Sequence, residues 1–439
     1  MVIDVKPVRI ALLGCGTVGE GVVRLLRQNA AMLASKLGAP LMLAGVADRS
    51  LKPNPAIGLN RDLITRDAAA LVVREDIDLV VELFGGIEPS RSVILRALQA
   101  GKDVVTANKA LLAEHGEDLF RAAAKANCAI GFEASVGGGI PIMRTLREAL
   151  AGDRQRAVYG IVNGTCNSIL SMMTDAGTEF ADALKAAQRT GLAEADPTLD
   201  IEGHDAAHKL CLLVTLAFGV SLKPPQVYTE GISGVTRADI EYARELGYTI
   251  KLLAIAKDDD GAIEARVHPT MIRTQHLLAS VGGAFNAIYV NSEALGASMY
   301  YGRGAGMMPT ATAVVADILE IARHRRAASR AGAHPLGYPP AMVKRARVRS
   351  MDDVLCEYYL RFTARDQPGV LGTIASILGR NQISIASVIQ QERAVEKTVP
   401  VIMRTHQARE RNLRRALAAI SGLKMVEGPP RFIRIEEDL

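Results

Sequence analysis

"VRIALLGCGTVGEGVV", residues 8–23, sets Gly14, Gly16 and Gly19 in G-x-G-x-x-G spacing between an apolar run and an amphipathic one. The apolar run has the length and β-branched character of a buried strand, and the segment beyond Gly16 has helical periodicity. Glycine suits all three positions: the turn is tight, the backbone must approach a pyrophosphate, and the helix must pack close to the strand. The helix start, at Thr17 and Val18, offers free N–H groups to an anion. A plain glycine-rich turn is the alternative. A second strand, "LMLAGVAD" (41–48), stands where a dinucleotide-binding unit needs it, which favours NAD or NADP.

Asp48 closes that second strand, where an acid meets an adenosine ribose, and Arg49 follows, suited to a 2′-phosphate. The pair does not choose between NAD and NADP, and Arg49 can equally be a solvated loop cation. Further along, "IDLVVELFG" (77–85), "KDVVTANK" (102–109) and "CAIGFEA" (128–134) alternate with helical stretches, as βαβ units of a parallel sheet do.

The chain has 439 residues, about three domains at ordinary domain size. Hydrophobic residues at 49% and charged ones at 23% fit a globular protein rather than a disordered one. The net charge of +5, the absence of Trp and an aromatic content of 4% give no nucleic-acid surface. Five scattered cysteines without a C-x-x-C pair read as reduced thiols. The N-terminus does not resemble a signal peptide, and the longest apolar run, 210–220, is too short to span a bilayer. A cytoplasmic location is expected.

Past residue 140 the character changes to a long Ala-rich helical region, about 166–219, with strand candidates "IEARVHPTMI" (263–272) and "AIYVNSEAL" (287–295). Residues 325–350, rich in Ala, Pro, Gly and Arg, read as a linker. The last 90 or so residues have the order βαββαβ, a ferredoxin-like module of a length that can fold alone.

Several stretches carry chemistry. Thr106, Asn108 and Lys109 end a predicted strand, where ligands of open α/β sheets bind, although a lysine there is also an ordinary helix start. The glycines of "FEASVGGGIP" (132–141) bring backbone close to a ligand or ion. "YYGRGAGMMPTATAVVADI" (300–318), with Gly306, is either a hinge before a core helix or a loop that closes over a cofactor. In "EGHDAAHKLCLLV" (202–214), Asp205 and Lys209 share one helical face, as do His204 and His208. The histidine pair is one carboxylate length away from the H-E-x-x-H zinc signature, without a third ligand, and leaves a zinc hydrolase as a competing class. A surface ion pair is the plainer alternative. Glu194, Asp196, Asp200 and Glu202 lie just upstream, and acids gathered near one lysine suit an ammonium-bearing substrate and a proton-transferring lysine.

The ordered set "GCGTVGEG", "TANKALL", "FEASVGGGIP", "NGTCN" (163–167), "GLAEADPTLDIEGHDAAHKL" (191–210) and "GRGAGMMPTATAVVADI" resembles homoserine dehydrogenase of the bacterial type with a C-terminal ACT domain. The match runs from residue 8 to about 325, and "FTARDQPGVLGTIASILGRNQISIASVIQ" is similar to the start of an ACT domain. The resemblance implies an α/β chain in three parts. These are a Rossmann-type NAD(P)-binding domain over 1–140 with a return helix near 305–325, an α+β catalytic and dimerisation domain over 141–304, and, after the linker, an ACT domain over 351–439.

It implies reversible, NAD(P)-dependent interconversion of L-homoserine and L-aspartate 4-semialdehyde, on the route to threonine, methionine and isoleucine. Lys209 would be the acid/base, Lys109 a second lysine at the junction of substrate and nicotinamide, and Asp205 would hold the substrate and Lys209 in place. Glu194, Asp200, Gly164 and Thr165 would contact substrate. Gly14, Gly16, Thr17, Val18, Gly19, Asp48, Arg49, Thr106, Lys109 and Gly306 would contact cofactor. Main-chain oxygens of Glu133, Val136, Gly138 and Ile140 would hold a monovalent cation, usually sodium. Threonine would act as effector through Asp366, Gly369, Val370 and Asn381, in a homodimer or homotetramer. A cofactor-binding regulator without catalysis remains a third class.

Overall fold

Val8–Leu13 is buried at every position but Arg9, as in a strand covered on both faces. In the computed structural model, which describes residues 6–327, 335–390, 398–437 and 439, this run is strand β1. With it stand β2 (Leu41–Ala47), β3 (Ile64–Thr65), β4 (Leu79–Glu82), β5 (Asp103–Thr106) and β6 (Ile130–Gly131). Their spatial order is β3-β2-β1-β4-β5-β6, all parallel. This is the doubly wound dinucleotide-binding order, whose ligand crevice opens where the order reverses, beyond the carboxyl ends of β1 and β4.

Four helices position the site in this first unit: α1 (Thr17–Gln28), α2 (Lys109–Ala126), α3 (His204–Phe218) and α4 (Met307–Arg326). Helix α4 returns to the nucleotide-binding core, where Val314 and Ile318 pack with Ile10, Leu12, Val22 and Leu26. Gly21 permits that approach, because a Cβ there would meet Met307 at 2.9 Å. A second, antiparallel layer has Phe285–Ser292 between Gln155–Ile161 and Gly296–Arg303. The unit comprises Met1–Gly164, Asp205–Val227 and Ala284–Ala346. Among the described residues no helix is long and apolar enough to cross a membrane.

The second unit comprises Thr165–His204, Tyr228–Gly283 and Arg347–Leu439. It contains β7 (Tyr248–Asp259), β8 (Ala262–Arg273), β9 (Leu355–Arg365), β10 (Ile385–Gln390), β11 (Thr398–Thr405) and β12 (Val426–Glu436), with helices α5 (Val370–Arg380) and α6 (Glu410–Ser421). The C-terminal elements follow the expected βαββαβ order, with strands β12-β9-β11-β10 side by side and antiparallel. The module does not stand alone. Its last strand pairs in parallel with β8, Thr270 to Arg434 through Ile272 to Glu436, so the hairpin β7–β8 extends the same sheet.

That seam is charged and mostly buried. Arg266 lies 2.7 Å from both Glu264 and Glu436, and Arg434 lies 2.6 Å from Glu410 and 2.8 Å from Glu230. Both arginines are 1% exposed. Burial and the two guanidiniums push the ring of His268 well below the usual histidine range, so it sits there neutral. Of the linker, 328–334 lies outside the described residues. Farther on, Lys344–Arg345 pairs with Val220–Ser221, and Arg347–Val348 with the start of β8.

Candidate active site

The glycine turn follows β1 as its spacing predicts. Gly14 adopts φ +88°, and a Cβ there would lie 2.8 Å from the Leu83 oxygen. A Cβ on Gly19 would lie 2.3 Å from the Gly14 oxygen, so helix α1 can pack against the turn only without a side chain. Gly16 differs. An added Cβ would meet nothing within 4 Å, so the protein's own packing does not ask for glycine there, whereas a pyrophosphate laid across the turn does. Gly16 is also the N-cap of α1 and makes no side-chain cap, which leaves Thr17 and Val18 at the open helix start. These residues fit a dinucleotide.

Asp48 is turned towards the chain itself. One carboxylate oxygen accepts the Cys15 N–H at 2.9 Å, and the other accepts the N–H groups of Ser50 and Leu51. Although burial pushes its carboxyl up, these donors hold it below the usual range. Arg49 beside it is exposed. Thr106 is wholly buried, donating to Glu82 at 2.6 Å and accepting the Asn108 N–H, so it shapes the end of β5. Asn108 caps α2 by accepting the Leu111 N–H, and Lys109 is that helix's first residue.

The first turns of α2 and α3 meet at Asp205. Its two oxygens are shared between lysines, Lys209 at 2.7 Å and Lys109 at 3.1 Å, and the Asn163 side chain donates to it at 2.9 Å. Burial pushes the Asp205 carboxyl up, but the two ammonium groups win and hold it well below the usual carboxylate range. Lys209 Nζ also donates to the Val162 carbonyl at 2.6 Å. A lysine ammonium has three N–H donors. With two placed on protein acceptors, the third is available to a substrate oxygen. Asn163 is the participant that sequence reasoning missed, and its signal was its place at the head of "NGTCN". His208 lies 3.9 Å from the Glu114 carboxylate on α2.

Gly164 starts the helix Gly164–Ala176 close to Ala284, whose oxygen a Cβ on Gly164 would reach at 3.0 Å. In the second unit, Thr165 donates to the Leu192 carbonyl at 3.1 Å, and the Cys166 thiol meets the Asp200 carbonyl at 3.1 Å. These bonds join the 163–167 segment to the acidic stretch. Glu194 is exposed there.

In the buried segment after β6, the close approach its glycines permit is to the chain's own backbone: a Cβ on Gly138 would lie 2.4 Å from the Gly304 oxygen. Gly306, at φ +123°, then caps α4. The Glu133 carboxylate accepts the Met143 and Arg144 N–H groups, while its own N–H donates to Asp317 on α4 at 2.8 Å. Burial pushes the Asp317 carboxyl up to about 7. In the C-terminal module, Asp366, Gly369 and Val370 sit at the start of α5 and Asn381 at its far end. The helix of 11 residues separates them by about 16 Å.

Family models match along the chain: the NAD binding domain of homoserine dehydrogenase over residues 14–133, homoserine dehydrogenase itself over 141–319, and the ACT domain over 358–423. The homoserine dehydrogenase of Neisseria gonorrhoeae is 46% identical, the match covering 98% of this chain and 99% of that one. The chain belongs to the homoserine dehydrogenase family. The crystal structure of a homoserine dehydrogenase from Thiobacillus denitrificans has a TM-score of 0.93 at 44% identity, covering 98% of this chain and 99% of that one. A hyperthermophilic archaeal homoserine dehydrogenase, solved in complex with NADPH, has a TM-score of 0.62 at 27% identity, covering 72% of this chain and 98% of that one.

A homoserine dehydrogenase is an NAD(P)-dependent oxidoreductase that interconverts homoserine and aspartate 4-semialdehyde. The zinc-hydrolase and non-catalytic readings fall away with that membership, and the C-terminal module is an ACT domain.

Proposed function

We propose that Lys209 is the acid/base of homoserine dehydrogenation in this chain, with Lys109 and Asp205 as its partners. The supporting observation is the Lys109–Asp205–Lys209 bridge, a buried carboxylate that fixes two ammonium groups at the carboxyl ends of the strands. When bound, the nicotinamide takes or gives the hydride. The protein's part is the proton: reduction of the semialdehyde needs a donor at the carbonyl oxygen, and Lys209 keeps one N–H for it. In the oxidising direction the same nitrogen, as the neutral amine, would receive the hydroxyl proton and become the ammonium. Glu194 and Asp200 supply negative charge for the substrate ammonium, with Gly164 and Thr165 shaping the backbone around it. Lys209→Ala lowers turnover by roughly 10²–10⁴-fold. Near-normal turnover in a folded variant, followed at 340 nm, removes Lys209 from the role.

NADP is the better cofactor on this reading, because Asp48 spends both oxygens on the backbone and leaves exposed Arg49 to a 2′-phosphate. Arg49→Ala then raises KM for NADP and leaves KM for NAD unchanged. Main-chain oxygens of Glu133, Val136, Gly138 and Ile140 suit a hard monovalent cation such as sodium. Exchange of sodium for a bulky organic cation tests that site through turnover.

Threonine is the effector we assign to the ACT domain. Asp366, Gly369 and Val370 are too far from Asn381 to grip one small amino acid within a single chain, which supports a site shared between copies in a homodimer or homotetramer. Asn381→Ala relieves threonine inhibition without changing uninhibited turnover, and light scattering gives the copy number. A biosynthetic role of this kind supports a cytoplasmic location.

A further inference from the structure

A cavity of about 100 Å³ lies against α2 and α3, beyond the Lys109–Asp205 contact. Along this pair of helices the Lys109–Asp205 bridge comes first and the Glu114–His208 contact next. Leu112 and Phe120 of α2, Leu212 and Thr215 of α3, and Leu222 and Val343 line the cavity. An engineered apolar cavity of about 150 Å³ holds benzene, so this space takes a body of four or five carbons.

Its charged lining is unbalanced. Glu117 is matched by Arg121 at 2.8 Å. Lys223 donates to the Glu114 carbonyl at 2.7 Å, which leaves its charge without a carboxylate, and Arg345 has no ion partner among the described residues. The lining therefore offers apolar walls and two uncompensated cations. The glycine turn and the Lys109–Asp205–Lys209 bridge do not use it.

We propose that this cavity is a second ligand site, taking a small carboxylate with a branched apolar body whose anionic end lies at Lys223 and Arg345. Its occupant bears on both lysine-carrying helices and alters the spacing of their first turns. Binding there lowers turnover without competing with homoserine.

The probe is 3-methylbutanoate, titrated into the full chain by calorimetry, with 3-methylbutan-1-ol in parallel and steady-state kinetics on both. The expected result is saturable millimolar binding of the acid, a fall in kcat, and an unchanged KM for homoserine. Arg345→Ala, on an exposed residue, keeps uninhibited turnover and weakens the acid roughly fivefold. Thr215→Phe, which fills the cavity, abolishes binding. Absence of saturable binding to the folded protein, equal affinity for the alcohol, competition with homoserine, or full affinity in Arg345→Ala overturns the proposal.

Discussion

Asp205 holds two ammonium groups with one carboxylate, and its substitution separates holding from chemistry. Asp205→Asn keeps the shape and removes the charge; turnover falls roughly 10²-fold, as misplacement of a reacting group by about 1 Å does. Cofactor affinity, read by fluorescence titration, stays as it was. The Asp205–Lys209 half of this arrangement was legible from i, i+4 spacing alone. The Lys109 half was not, because no local pattern says which distant helix start faces α3. Lys251 makes a different prediction. It is 4% exposed, its Nζ donates to the Val281 carbonyl at 2.6 Å and to the Asn167 side chain, and burial pushes its pKa down to about 8. Between pH 8 and pH 10.5 the unfolded chain binds a proton at Lys251 that the folded chain does not. Stability therefore rises with pH across that window, by about 3 kcal/mol, and is lost as pH falls towards 8. Lys251→Met flattens the slope in urea unfolding, and a slope that persists assigns it to other groups.

At the scale of elements, the glycine turn divides into positions demanded by the fold and one demanded by its ligand. Gly19→Ala forces a Cβ against the Gly14 oxygen and lowers both the melting temperature and cofactor affinity. Gly16→Ala has open space on the protein side, so it leaves the melting temperature in place and raises only KM for the cofactor. Loss of stability in Gly16→Ala contradicts that division. Such turns are legible because the constraint lies within a dozen residues. The same holds for the strands of the parallel sheet, except Ile64–Thr65, too short to leave a pattern. The glycines after β6 were legible as a close approach, but what they approach, the backbone at Gly304, depends on a loop far along the chain.

At the scale of the molecule, sequence order separates the ACT module from the middle of the chain, whereas the second unit packs them as one body. Pairing of β8 with β12 is three residues long, and nothing in either strand announces the other. Arg434 bonds Glu410, Glu230 and the Tyr228 hydroxyl across that seam. Arg434→Met strips a buried carboxylate of its principal partner, and the expected cost is about 3 kcal/mol in urea unfolding. Turnover at saturating substrate falls less than stability does. Seen from the edge of β8, Tyr228–Thr229, Arg347–Val348 and Arg434–Glu436 close successive stretches of one ladder. A chain cut before residue 347 would bare two of those three stretches as open hydrogen-bonding edge, a template for self-association. On the effector assignment proposed above, release from feedback is therefore a task for single substitutions at the ends of α5, since trimming the ACT module away invites precipitation of the catalyst.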